Sequence, residues 1–314
     1  MARDSRVAGS GIRVECRLCF AAMVPIKQAA ALTGVPEHTL RAWERRYGAF
    51  RTVRSAGGYR LYDEDALASI AAMRALVEAG VPPRLAAEQI RPRPGQAISE
   101  SAAGTRVRPD QLQPVVEALA HLDVRRVTRL VDEQFALRDF ETFVDAWLMP
   151  ALQRVGTAWA RQEITVAGEH LMSAIVMRRL SAAYDAAGVP APRPQVIVGT
   201  PSGILHDLGL MAFAVCLRRQ GTATMFLGSD VPPPAWTAAL TSTGAAVSVT
   251  ALYRRSDAAR VATLAEQVWQ EDASAILAVG GGQQRLAPTG CLQLGHEVAP
   301  AAQRVASIVA RSAR

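Results

Sequence analysis

Two short segments hold residue types suited to binding a ligand. In TPSGILHDLGL, His206 stands three residues before Gly209 and closely follows the apolar run QVIVG. A histidine in the first loop after a buried strand lies at the crevice beyond the strand ends, where a neutral imidazole is a good metal ligand. In VGTAWARQEITVAGEHL, nine residues separate Trp159 from the pair Glu169-His170. An indole with a carboxylate and an imidazole can wall a flat ligand and hydrogen-bond a sugar or a base. Each segment also has an ordinary alternative: Trp159 as helix-bundle core, Glu169 on a helix surface, His206 as a loop histidine. A third set is cationic. Residues 41–60 contain six arginines and a single acid, Glu44. Clustered arginine suits a polyanion, because neutralising phosphates releases counterions. Cys16 and Cys19 have the spacing of a zinc or redox pair, but no second pair or nearby histidine completes a site, and none is expected there.

The charge is uneven. Of 35 basic and 28 acidic residues, residues 1–110 hold 17 and 11, a net of +6, whereas residues 111–314 are close to neutral at +1. With half of the 314 residues hydrophobic and 20% charged, wholesale disorder is excluded, and the length suits two or three domains. Four scattered cysteines (Cys16, Cys19, Cys216, Cys291) do not make an extracellular disulfide framework. The longest apolar run, Leu208 to Leu217, is half of the roughly 20 residues a spanning helix needs. A cytoplasmic chain without a membrane anchor is expected. Residues 1–23 read as a disordered leader, with Met23 as an alternative start.

The elements that must position these residues follow from periodicity. PIKQAAALTGVPEHTLRAWERRYG reads as helix, tight turn, helix. Ile26, Ala29, Ala30 and Leu32 form the apolar face of the first helix. Leu40, Trp43 and Tyr47 point inward from the second, leaving Arg41, Arg45 and Arg46 on the other side. RTVRSAGGYRLY alternates around Gly57-Gly58 as a hairpin that carries Arg54, Tyr59 and Arg60. Two more helices end the unit at residue 91. Helix-turn-helix plus basic wing is a double-stranded-DNA-binding shape, with the second helix in the major groove. Residues 92–110, rich in Pro, Gly, Ser and Ala, read as a flexible linker. Residues 111–190 read as a four-helix bundle with an internal proline, Pro150. In residues 191–314, QVIVGT, TMFLGS, AVSVTAL and AILAVGGG are strands separated by helices, the rhythm of a doubly wound parallel sheet. The fold class is therefore multidomain, α and α/β.

Together these features resemble the MerR-type regulators that carry a cobalamin-binding sensor domain, the CarH/LitR kind of light-responsive repressor. The resemblance runs from about residue 24 to the C-terminal region, through TGVPEHTLRAWERRYG, GGYRLY, the Trp159 to Glu169-His170 spacing, and His206 with Gly209. It implies a flavodoxin-like, corrinoid-binding C-terminal domain and a homo-oligomer, tetramer or dimer, on operator DNA. Trp159, Glu169 and His170 would cap the adenosyl face of adenosylcobalamin. His206 would be the lower axial cobalt ligand, and Ser248 or Thr250, with Gly280, Gly281 and Gly282, would surround the nucleotide tail. Two positions depart from the pattern. Ile204 stands where the family has an acid two residues before the histidine, and Ala160 where light-responsive members often have a histidine after the tryptophan. These departures leave open another tetrapyrrole, or a regulator without cofactor that signals through protein contacts. A corrinoid carrier of a methyltransferase or mutase would not carry an N-terminal winged helix, so an enzyme is not expected.

Overall fold

The computed structural model describes residues 24–50, 52–54, 58–90, 107–188 and 193–312. The leader with Cys16 and Cys19, and most of the linker, lie outside them. The first unit comprises β1 (Val24–Pro25), α1 (Ile26–Thr33), α2 (Glu37–Tyr47), β2 (Val53–Arg54), β3 (Arg60–Tyr62), α3 (Glu64–Glu78) and α4 (Pro83–Ile90). Gly34 stops α1 in the left-handed conformation (φ 67°), its N–H bonded to the Ala30 carbonyl at 2.9 Å. Leu40, Trp43, Tyr62, Ile70 and Met73 form the core of this unit. One expected core residue is not there: Leu32 is 62% exposed. The inward stripe is Ile26, Ala29, Ala30 and Thr33, and Leu32, six residues after Ile26, falls about 240° round the helix. Thr33 takes the buried slot because its hydroxyl donates to the Ala29 carbonyl at 2.7 Å. The wing pairs β2 with β3 (Arg54 opposite Arg60), and β1 adds a third antiparallel strand on the other side.

The bundle consists of a 3₁₀ turn (Pro109–Leu112), α5 (Gln113–Ala120), α6 (Val124–Leu137), α7 (Phe140–Thr142), a π-helical stretch (Phe143–Leu148), α8 (Met149–Ala160) and α9 (Val166–Ala186). Asp123, Asp139 and Thr165 cap α6, α7 and α9 with side-chain oxygens. Pro150 explains an unexpected contact. Lacking an N–H, it cannot bond the carbonyl of Ala146 four residues back. That carbonyl instead accepts the N–H of Val107 at 2.8 Å, so the end of the segment read as linker is tied to the bundle.

The last unit comprises β4 (Val196–Pro201), α10 (Leu208–Arg219), β5 (Thr224–Val231), α11 (Pro233–Thr243), β6 (Val247–Ala251), α12 (Ala258–Glu271), β7 (Ile276–Gly280), β8 (Leu292–Gln293) and α13 (Val298–Ser312). The strands are all parallel in the order β5-β4-β6-β7-β8, which puts the topological switch point between β4 and β6. The long apolar run is α10, buried on every side because it packs on the sheet, on α9 and on α13. Bundle and sheet share one continuous core. No helix among the described residues is long and apolar enough to cross a membrane.

Candidate functional site

On the first unit, α2 presents Arg41, Arg45 and Arg46 as exposed side chains opposite the buried Leu40 and Trp43. Arg41 pairs with Glu37 one turn back at 2.9 Å. In the wing, Arg60 bonds Glu44 of α2 at 2.5 Å, which fixes the hairpin against the helix. The Arg54 guanidinium donates to the Gly58 carbonyl at 3.1 Å, and Tyr59 stands out at 75% exposure. The geometry is a cationic helix flanked by a cationic hairpin with an aromatic residue near its turn.

A cavity of about 940 Å³ lies between α8 of the bundle and the C-terminal ends of the strands. That is near the upper end of the roughly 300–1,000 Å³ range of small-molecule sites. The sheet side is formed by Gly209 at the start of α10, Val249 to Ala251 of β6, Tyr253, Gly280 to Gln283 after β7, and Leu294 to Val298. Buried Gln284 pins the last of these loops, exchanging bonds of 2.7 and 2.8 Å with the backbone of Gly295. Gly281 adopts φ +87°, and a Cβ there would sit 2.6 Å from the Leu252 carbonyl oxygen, so only glycine closes this turn. A Cβ at Gly280 or Gly282 would meet nothing within 4 Å, which leaves that rim open to a close-fitting group.

Of the residues singled out by sequence as ligand contacts, Gly209, Thr250, Gly280, Gly281 and Gly282 line this cavity. Ser248 lies two residues before Thr250 on the same face of β6. Both hydroxyls are fully buried, and neither has a hydrogen-bond partner among the described residues. His206 is buried just behind the wall, its ring tilted against that of Tyr253 with centroids 5.5 Å apart. Burial holds the Tyr253 phenol well above its ordinary pKa, and the neighbouring charge of Asp207 pushes it further up. Asp207 is thus a buried carboxylate near the Tyr253 phenol, one residue after the histidine. Ile204 is buried in the loop core, its carbonyl accepting the Thr200 hydroxyl and the Asp230 N–H.

Trp159, Glu169 and His170 sit at the neighbouring corner where α8 turns into α9, outside the cavity wall. Glu169 is fully buried there. Its carboxylate bonds the His170 ring Nδ1 at 2.5 Å and accepts the Ser173 hydroxyl at 3.0 Å. The roof of the cavity is instead Met149, Gln153, Arg154, Thr157, Ala160 and Arg161 of α8 and its C-terminal cap, with Val107 and Pro109 beside them. Sequence reasoning missed these polar roof residues. Their spacing put them on one helix face, but such a face reads as solvated until an opposing wall is known. No group of three or more His, Cys, Asp or Glu side chains suited to a metal ion occurs among the described residues.

The sequence is 30% identical to the HTH-type transcriptional repressor CarA of Myxococcus xanthus, over 90% of this chain and 95% of that protein. The chain belongs to this family. It is also 32% identical to the repressor CarH of the same organism, over 66% of this chain and 71% of CarH. Residues 24–91 match the MerR HTH family regulatory protein model and residues 111–184 the B12 binding domain model. The family therefore joins a MerR-type DNA-reading head to a B12-binding module in one chain, and both are present here. Among solved structures, the monomethylamine corrinoid protein of Methanosarcina barkeri overlays with a TM-score of 0.49 at 16% identity. The match covers 64% of this chain and all of that one.

Proposed function

We propose that this protein is a transcriptional repressor whose grip on operator DNA is controlled by a cobalamin, adenosylcobalamin above all, held between the bundle and the sheet. The observation that carries the reading is the cavity at the switch point of the sheet. The buried Thr250 hydroxyl, which has no partner among the described residues, and an open glycine rim face it, in a chain that also bears a winged helix.

The donor set fits that group. A lone imidazole suffices for a metal that a macrocycle already holds, and His206 supplies one beside the cavity, with Asp207 and Tyr253 around it. Ser248 and Thr250 offer hydroxyls to a polar tail, and Gly280 to Gly282 let backbone approach it. Trp159, Glu169 and His170, expected to cap the far face, stand outside the cavity wall, where the fully buried Glu169 carboxylate holds the His170 ring in one orientation. When bound, the cofactor would supply a cobalt–carbon bond that light can break. Ala160 presents only a methyl group to the cavity, so at that position α8 offers no second ring nitrogen.

At the other end of the chain, Arg41, Arg45 and Arg46 would meet phosphates and base edges in the major groove, and Arg54, Tyr59 and Arg60 the flanking backbone. Linking several such heads in a homo-oligomer would multiply their hold on an operator by avidity. The test is to incubate the protein with adenosylcobalamin in the dark, then record absorbance, gel-filtration volume and operator affinity before and after green light. Stoichiometric retention of the cofactor, with tighter operator binding by the loaded dark form, is expected. Failure to retain it, or an operator affinity indifferent to it, would overturn the reading.

A further inference from the structure

The roof of the cavity carries positive charge that the proposed cofactor contacts do not use and the fold satisfies only in part. Arg154 and Arg161 come from α8 and its C-terminal cap, and both line the cavity. The Arg154 side chain is only 16% exposed. One of its terminal nitrogens is occupied, donating to Glu163 at 2.7 Å and to Gln113 at 3.1 Å. The other, Nη1, is buried and has no partner among the described residues. The same holds for Nε of Arg161, whose guanidinium lies 3.7 Å from Glu163. Two arginines thus share one glutamate, and each keeps a buried donor beside the cavity.

A guanidinium N–H left unbonded away from water is costly, and a planar donor fork matches a carboxylate or phosphate better than an amide. Neutral amides, which offer one carbonyl oxygen and no charge, would leave the second arginine uncompensated. We infer that Arg154 and Arg161 form a seat for an oxyanion carried by the ligand of this cavity. The seat makes the site selective for an anionic tetrapyrrole over its neutral amide counterpart. This rests on the proposal that the cavity takes a corrinoid, and adds which chemical group the roof recognises. The oxyanion has two possible sources, the phosphodiester of a nucleotide tail or a free carboxylate on the ring periphery.

Three corrinoid probes separate these sources in equilibrium titrations of the full chain. Hydroxocobalamin carries the phosphodiester, cobyric acid a single free carboxylate and no nucleotide, and cobinamide neither. The wild type is expected to bind one of the first two about 10- to 100-fold more tightly than cobinamide. Arg154→Gln with Arg161→Gln should erase that preference. The Lys pair, Arg154→Lys with Arg161→Lys, should restore part of it and shows whether charge is what counts. Melting curves of all variants exclude a folding defect as the cause. A wild type with no preference, or a Gln pair that keeps it, would overturn the seat.

If the wild type binds none of the three, the corrinoid reading fails and the seat is judged on haem against its dimethyl ester. Preference for the free propionates, lost in the Gln pair, would uphold the seat. Equal binding of acid and ester, or no binding of either, would overturn it.

Discussion

A threonine hydroxyl buried without a hydrogen-bond partner costs stability, and Thr250, at the inner wall of the cavity, has none among the described residues. Thr250→Val keeps the shape and removes the unmet hydrogen bond, so the ligand-free protein should gain about 1 kcal/mol. The same change should weaken cobalamin binding by about 5-fold, because the hydroxyl then has nothing to offer the ligand. Chemical denaturation and absorbance titration read the two effects separately. A less stable variant with undiminished affinity would mean that the hydroxyl serves the fold. Legibility at this scale depended on which strand or turn a residue followed. Gly209, Thr250 and Gly280 could be read as lining residues because positions at strand ends of a parallel sheet face the crevice. Arg154 and Arg161 could not, because a polar helix face looks the same whether it meets water or the wall of a cavity. The two described cysteines are not reactive thiolates: burial pushes the Cys291 thiol up to about 11 and the Cys216 thiol further, so neither is ionised at neutral pH.

The helices of the bundle show what periodicity can and cannot fix. A long amphipathic run such as α6 announces itself, whereas the π-helical stretch before α8 is visible only as Pro150. The two-residue β8 leaves no pattern at all, and Leu32 shows how one hydrophobic residue off the stripe misleads when an alanine-rich face is read by eye. What holds these elements to one another is equally specific. Arg179 of α9 grips Asp132 of α6 through two bonds, of 2.6 and 2.9 Å. The guanidinium keeps the Asp132 carboxyl below its usual pKa. The folded pKa is depressed, so the pair contributes stability above the unfolded carboxylate value of about 3.9 and loses it as the pH falls through the folded value. Both side chains are partly exposed, so the contribution is at most about 1 kcal/mol. Asp132→Asn should therefore lower the melting temperature slightly at pH 7, and the gap to wild type should close at acid pH. A gap that persists below the folded pKa would show that the asparagine disturbs packing.

Bundle and sheet act as one body because polar clamps join them around a shared core. Glu141 of α7 pairs with Arg219 at 2.9 Å, and the Tyr184 hydroxyl of α9 donates to the Thr224 carbonyl at 2.7 Å. Another clamp is Asp145, in the π-helical stretch just before α8. Its two carboxylate oxygens accept the N–H groups of Val298 and Ala299 at 2.7 and 2.9 Å, satisfying the first turn of α13 from across the domain boundary. The negative charge also sits at the positive end of that helix. Because Asp145 lines the cavity as well, the clamp and the ligand wall are the same residue. Asp145→Ala should cost about 1–3 kcal/mol, as a lost charge-assisted cap would. A single shared core means that residues 107–312 should still unfold in one transition, at a lower temperature. Cofactor affinity should fall along with it, since loosening α13 displaces the loop from Leu294 to Val298. Calorimetry of wild type and variant, each with and without adenosylcobalamin, measures both effects on one sample. Two separate transitions would mean that the core does not couple bundle to sheet. A variant that melts early yet binds as before would confine Asp145 to the helix it caps.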